Sequence, residues 1–354
     1  MNAILIGALA PLTPPGWVQA GRHLLAGLQL AVDEVNDAGG IDGRPLELVV
    51  RDTAADPGRA TAAVNELAAL GVTALAGEYH SVVARAAATR ADTLGLPYLC
   101  SSAVLDALTE HPTNWVARLS PPQSLGWQTY ADFLLGAGHR RIAVVADPSL
   151  YWTSGVHILR DHLAPHGATV TEFDARTALC DELVHHQATA LLLLTGFPEP
   201  AVPLVRSIRQ DQRLTDLLIG APAGQPEFTE WAELLGRDGT GIPFLRYLPE
   251  HLAALGTRVE KTLRDRLPEP PSFVAFEGYD TILVLADLLR TRMATSWPDV
   301  TVDGTRGRIH FSRTPGVGVW QWTWPPIQVV DRDPTAPDRF RVLHTRQNPR
   351  SESV

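Results

Sequence analysis

Residues 28–77 read LQLAVDEVNDAGGIDGRPLELVVRDTAADPGRATAAVNELAALGVTALAG, and the alternation inside this stretch decides the fold class. Leu24, Leu25, Leu28, Ala31, Val32 and Val35 recur at helical spacing, and Gly39-Gly40 supplies the stop. An apolar run, LELVV at 46–50, a second helical pattern near 58–70, and the strand-like TALAG at 73–77 follow. Strands separated by a helix pair in parallel, because the return needs a crossover of that length.

The same grammar extends in both directions. Upstream, residues 4–8 read as a strand and residues 11–16 as a turn-rich loop, with the first helix over 21–38. Downstream come a helix over 82–94 and a strand, PYLC, at 97–100. After Ser120-Pro121-Pro122 the alternation restarts: helix 123–136, strand 141–146, helix 153–163, strand 168–173, helix 178–187, strand 190–195, helix 199–210 and strand 217–221. Helices at 250–266 and 275–292 precede short strands at 308–311, 317–323, 326–330 and 339–343, and a polar tail, RQNPRSESV, is expected to fray. The expectation is an α/β protein of two lobes, each a mostly parallel sheet flanked by helices.

The chain has 354 residues and a formal charge of −9 with no basic block, which argues against nucleic acid as a partner. Cys100 and Cys180 are too few for a disulfide scaffold or a cysteine-based zinc site. His162 and His166 have the i, i+4 spacing of a metal pair, but Pro165 interrupts the helix that such a pair needs. Nucleophile elbow, P-loop and dinucleotide-binding glycine motifs are all missing, so no enzyme, metal or cofactor is expected. No run of 18 apolar residues occurs, so no membrane span is expected. Residues 1–12, MNAILIGALAPL, lack a basic start and a small-residue cleavage site and read as the first strand. Either an export signal was trimmed, which places the protein outside the cytoplasm, or Met1 is native and the protein is cytoplasmic.

The stretch 28–77, and beyond it nearly the whole chain, closely resembles the leucine/isoleucine/valine-binding protein family, the type I periplasmic-binding fold of branched-chain amino acid ABC importers. Residues 74–96 align with the family without gaps, and so does the second-lobe stretch from Asp147 through Tyr151, Asp161, Leu163 and Gly167 to Val170. The closing VWQWTW and QVVD also look like the family's. The resemblance implies two lobes joined by three crossovers, near 118–121, 245–249 and 316–319. The first lobe would combine 1–118 with 249–316 and the second 121–245 with 319–354, with a ligand enclosed between them. In open α/β sheets ligands sit outside the carboxyl ends of the strands, which points independently to the loops after Gly77, Cys100, Ala146 and Thr195.

Family members hold a ligand carboxylate, or a similar polar head, with a serine and backbone N–H groups at the start of the helix after the third strand. Ser81, in GEYHS, stands at that position, and helix N-termini favour anionic or carbonyl oxygen. The alternative is that Ser81 only caps its helix. Tyr79 and His80 are candidates for the wall, and Trp17 for an aromatic cover at the mouth. Ser102 and Ala103 are expected to present backbone groups. Val104 replaces a threonine common among amino-acid binders, Tyr151 matches a ligand-contacting tyrosine, and Phe197 replaces another. At Pro222 and Ala223, where amino-acid binders usually carry an acid for the ligand ammonium, there is none; Glu277 and Glu78 are candidate replacements. A small ligand (amino acid, amide or short carboxylate) and an ABC permease are the implied partners. A cytoplasmic ligand-sensing regulator similar to the aliphatic amide receptor, which also carries a tyrosine two residues before its serine, is the alternative.

Overall fold

The strand Ile4–Ala10 pairs in parallel with Leu46–Asp52 on one side and Ala74–Gly77 on the other, so each expected crossover helix forms. The computed structural model describes residues 2–174, 179–290 and 296–346. The chain divides into two units, Met1–Pro122 with Tyr247–Pro326, and Gln123–Arg246 with Ile327–Val354. It therefore passes between them three times. The tail 347–354, and residues 178 and 291–292 of two expected helices, lie outside the described residues.

In the first unit eight strands form one sheet in the order Thr301–Gly304, Gly307–Arg313, Trp320–Trp322, Val116–Arg118, Tyr98–Cys100, Ala74–Gly77, Ile4–Ala10, Leu46–Asp52. The first two pairings are antiparallel and the rest are parallel. The second unit has a parallel four-stranded sheet, Thr169–Phe173, Arg141–Ala146, Ala190–Leu194, Leu218–Gly220. It also has an antiparallel sheet of Phe244–Arg246, Gln328–Asp333 and Ala336–Thr345.

One core of the first unit joins Leu67, Leu75, Val83, Ala87, Tyr98, Val116 and Val319 across the sheet and the helices Pro57–Ala69 and Ser81–Leu94. Burying a side chain such as Leu67 completely stabilises by about 1.5–3 kcal/mol. On another helical contact, Val18–Asp37 meets Phe273–Arg290 backbone to backbone. A Cβ on Gly27 would lie 1.9 Å from the Ala275 carbonyl oxygen, and one on Gly278 would lie 2.3 Å from that of Leu24. Glycine at both positions is what lets these helices approach so closely. In the second unit, Leu191, Leu193, Val205, Ile208, Ile219 and Trp231 form the corresponding core.

Three expectations are corrected. The first helix begins at Val18, not at 21, because Gly21 is a close-approach position where a Cβ would meet the Pro11 carbonyl oxygen at 2.1 Å, not a helix boundary. The strands Val116–Arg118, Phe244–Arg246 and Thr301–Gly304 were not foreseen, since three or four residues carry too little periodicity to read. The third passage falls at 326/327 and not at 316–319, because Trp320–Trp322 pairs with Val116–Arg118 and Gly307–Arg313 inside the first unit. Trp322 is buried there beneath the Arg306 guanidinium, 5.0 Å from its ring centre. Among the described residues no helix is long and apolar enough to cross a membrane.

Candidate functional site

At the carboxyl end of Ala74–Gly77 the chain turns sharply. Gly77 has φ +111°, and a Cβ there would lie 2.0 Å from the Leu9 carbonyl oxygen, so only glycine fits. Glu78 follows, fully buried. The N–H groups of Tyr79 and His80 donate to its Oε1 at 2.9 and 3.0 Å, and the Thr53 hydroxyl donates to Oε2 at 2.8 Å. Burial pushes this carboxyl up to about 7, with the three donors and the nearby Asp52 setting the balance. The Glu78 carbonyl oxygen accepts from Ser102 and Ala103 N–H at 3.3 and 3.2 Å.

His80 occupies the cap position of the helix Ser81–Leu94, and its side chain makes no capping bond. Its Nε2 accepts the Trp17 N–H at 3.0 Å, which puts the ring proton on Nδ1, and burial pushes its pKa down to about 4, so it stays neutral. Tyr79 stands edge-on to Trp17, with ring centres 6.0 Å apart, and edge-on to His80 at 5.4 Å. The loop bearing Trp17 is held in turn by Asp52, whose Oδ1 accepts Leu12 N–H at 2.7 Å. Trp17, Tyr79 and His80 thus form one aromatic cluster around the turn.

Ser81 is the first helical residue and does not cap. Its Oγ accepts the N–H groups of Val104 and Leu105 at 3.2 and 3.3 Å. Both lone pairs are therefore occupied, and among the described residues no acceptor takes its proton. The first-turn N–H groups of residues 81–83 have no partner within the helix. The result is a set of hydrogen-bond donors suited to an acceptor oxygen.

The carbonyls of Val104 and Leu105 are clamped from the other side, where Arg118 Nη1 donates to them at 2.9 and 2.6 Å and its Nε to Gln321 Oε1 at 2.7 Å. The N–H groups of Ser102 and Ala103, expected to be offered outward, are already engaged by Glu78, as noted above. Val104 is buried, and its side chain is a part of this packing.

Glu277, the candidate partner for an ammonium, lies in the helix Phe273–Arg290 and is fully buried. Its Oε1 accepts from Ser120 Oγ at 2.7 Å and pairs with Arg306 at 3.3 Å, and the Arg306 Nε reaches Asp280 at 2.9 Å. Burial pushes Glu277 up to about 7 while Arg306 and the hydroxyls of Ser102 and Ser120 favour its charge. Its Oε1 is committed to an internal ion network, while Oε2 is buried with no hydrogen-bond partner among the described residues.

In the second unit the expected residues follow three neighbouring strands. Tyr151 lies in the first turn of Leu150–Leu163, edge-on to the fully buried Trp127 at 5.9 Å and against Trp152 at 4.6 Å. Gly155 makes room for that indole, since a Cβ there would lie 2.2 Å from it. Phe197 stacks on Trp231 at 5.6 Å. Ala223 lies half-buried in a turn closed by the Gly224 N–H on the Ala221 carbonyl oxygen. The acid four residues on, Glu227, pairs with Arg246 at 2.8 Å.

Against known proteins, the model of the periplasmic binding protein family matches residues 3–311. The chain belongs to the periplasmic binding protein family. It is 33% identical over 160 residues to a Leu/Ile/Val-binding protein homolog 8 of Brucella suis, and 29% identical over 161 residues to the Leu/Ile/Val-binding protein of Escherichia coli K12. These matches take in 42% and 45% of this chain and 40% and 44% of those proteins, so the chain spans less than half the length of the curated relatives it matches. Among solved structures, the fold resembles a branched-chain amino acid transporter substrate-binding protein from Streptococcus pneumoniae in complex with isoleucine, at TM-score 0.81 and 19% identity, covering 96% of this chain and 99% of that one. It also resembles a solute-binding protein of R. palustris in complex with benzoate, at TM-score 0.79 and 17% identity, covering 97% and 96%.

Two features of this binding protein escaped the sequence reading. Thr195 Oγ1 and Gln225 Oε1, at the carboxyl ends of Ala190–Leu194 and Leu218–Gly220, are buried and have no hydrogen-bond partner among the described residues. Gln225 Nε2 donates to the Thr195 carbonyl oxygen at 3.3 Å, which ties the two loops together. The rule that ligands gather at strand carboxyl ends and the family resemblance around Pro222 and Ala223 pointed to these loops but not to these two side chains. Arg118 was the other omission, because its role depends on the loop conformation it supports.

Proposed function

We propose that this periplasmic binding protein is the solute-binding component of an ABC importer, closing its two lobes on a small polar metabolite such as an amino acid. The observation that carries this reading is the Ser81 hydroxyl, whose lone pairs are both filled by Val104 and Leu105 and whose proton is left for an incoming oxygen. The aromatic cluster of Trp17 and Tyr79 beside it suits an apolar ligand body. Tyr151, Phe197 and Ala223 are the second unit's contribution, and Ser102, Ala103 and Val104 join Ser81 in the first's. Closure requires that the ligand bind the closed state better than the open one, and micromolar affinity corresponds to about 8 kcal/mol. The protein acts outside the cytoplasm with a permease as partner, and it has no catalytic role.

A ligand-sensing regulator of the amide-receptor type is the second reading. It is favoured by the absence of an acid at Pro222 and Ala223 and by the pairing of Glu227 with Arg246 and of Glu277 with Arg306.

Native mass spectrometry of the purified protein identifies a co-purified ligand, and titration calorimetry with that compound then compares wild type with Ser81→Ala. We expect at least several-fold weaker binding in the variant, with stability lowered by about 1 kcal/mol or less. Equal affinity would remove Ser81 from the site.

A further inference from the structure

The Glu78 carboxylate is an internal anion at the place where the ligand head is expected. It takes the N–H groups of Tyr79 and His80, the two donors immediately before the helix Ser81–Leu94, and the Thr53 hydroxyl. All three donors are neutral. The titratable groups that face it from neighbouring elements are Asp52 at the end of Leu46–Asp52, His80 on its own loop, and Tyr98 and Cys100 on Tyr98–Cys100. None of them is a cation: His80 is held neutral by burial, and burial raises both the phenol and the thiol. The nearby guanidinium of Arg118 donates from Nη1 to the carbonyls of Val104 and Leu105 and from Nε to Gln321, and it is not among the charges that act on Glu78. A buried carboxyl with no cation among these groups therefore lies three residues before Ser81 on the same turn.

A second anion brought to Ser81 meets this charge across a poorly screened interior, whereas a neutral carbonyl does not. We propose that Glu78 determines which head charge the site accepts: with its carboxylate in place the site takes a neutral carbonyl head, such as a primary amide, and it takes a carboxylate head only together with a proton. This rests on the reading that Ser81 meets the ligand's polar head. The proton goes to the Glu78 carboxyl, which burial already holds near neutrality, and the hydrogen bond from Thr53 can then reverse, with the protonated oxygen donating to the hydroxyl. The charge of the bound head and the protonation of Glu78 are thereby linked.

The test uses two pairs of probes that share a body and differ in the head: benzoate with benzamide, and 4-methylpentanoate with 4-methylpentanamide. Titration calorimetry of the full chain at pH 6, 7 and 8 gives the carboxylate-to-amide affinity ratio for each pair. In wild type the ratio is expected to fall with rising pH, approaching about tenfold per pH unit at the alkaline end, with proton uptake per carboxylate bound rising from little at pH 6 toward one at pH 8. In Glu78→Gln, which keeps the shape and the acceptor for Tyr79 and His80, the ratio should be flat and the carboxylates bind more tightly at pH 8. Thr53→Val removes one hydrogen bond to the ionised form and should move the wild-type profile to higher pH, which keeps the test alive should the glutamine variant fail to fold. A ratio independent of pH in wild type, or the same pH dependence in Glu78→Gln, overturns the inference. If none of the four probes binds wild type, the head reading at Ser81 falls, and the inference falls with it.

Discussion

The loop of the first unit at 77–81 and the loops of the second unit at 195–197 and 221–225 stand at equivalent ends of their sheets, yet they are built on opposite terms. In the first, the loop itself is densely bonded, Glu78 accepting from Tyr79, His80 and Thr53 and Ser81 from Val104 and Leu105 with Arg118 on the carbonyls behind them, and Arg118 Nη2 and Ser102 Oγ, unpartnered among the described residues, lie outside it. What remains is a hydroxyl proton with one direction to go. In the second, Thr195 Oγ1 and Gln225 Oε1 are left without partners among buried aromatic surfaces. A saturated network fixes geometry, whereas orphaned buried groups cost free energy that a ligand can restore. The first loop is tied down by its own hydrogen bonds, whereas the second holds buried oxygens without one.

The largest effect should come from breaking the densely bonded side at its turn. Gly77→Ala places a Cβ 2.0 Å from the Leu9 carbonyl oxygen at a φ of +111°, and we expect a loss of about 3 kcal/mol or more in thermal or urea unfolding. A loss under about 1 kcal/mol would mean that the turn relaxes easily and the contrast is overstated. Gly155→Ala, which drives a Cβ to 2.2 Å from Trp127 beneath Tyr151, should cost about 1–3 kcal/mol.

A pH series sharpens the comparison. Glu78 holds its proton more tightly in the folded protein than in the unfolded chain, so the native state carries extra bound proton between about pH 4.5 and about pH 7. Stability contributed by this group therefore falls as pH rises through that window. Glu78→Gln should gain on wild type across it, at up to about 1.4 kcal/mol per pH unit. Parallel curves from denaturant melts would show that the carboxyl titrates normally. The smallest effect belongs to the unsaturated side: Thr195→Val removes a hydroxyl that makes no hydrogen bond among the described residues. Unfolding free energy should stay within about 0.5 kcal/mol of wild type, while calorimetric affinity for the native ligand drops several-fold.

Much of this molecule is legible in its residue order, for reasons that differ from place to place. The helix after Gly77 and the parallel strands announce themselves because periodicity over ten or more residues is a local property. Ser81 is singled out by the family resemblance of its GEYHS segment, with its place at the start of a helix in support. The engagement of Ser102, Ala103 and Val104 could not, since their N–H groups are met by Glu78 and Ser81 from more than twenty positions away. Glu277 offers the same lesson: a carboxylate in FEGYD looks available until Arg306 and Ser120, distant in the chain, are folded against it. The third passage between units was misplaced because Trp320–Trp322 is three residues long and declares its allegiance only through pairing.

The glycine-to-glycine contact between Val18–Asp37 and Phe273–Arg290 bears on how the chain is made. An emerging polypeptide displays the apolar face of its first long helix some 240 residues before the helix that covers it leaves the ribosome, and neither unit can finish before the end, because the second still awaits Gln328–Asp333 and Ala336–Thr345. For such a chain, synthesis order and assembly order part company.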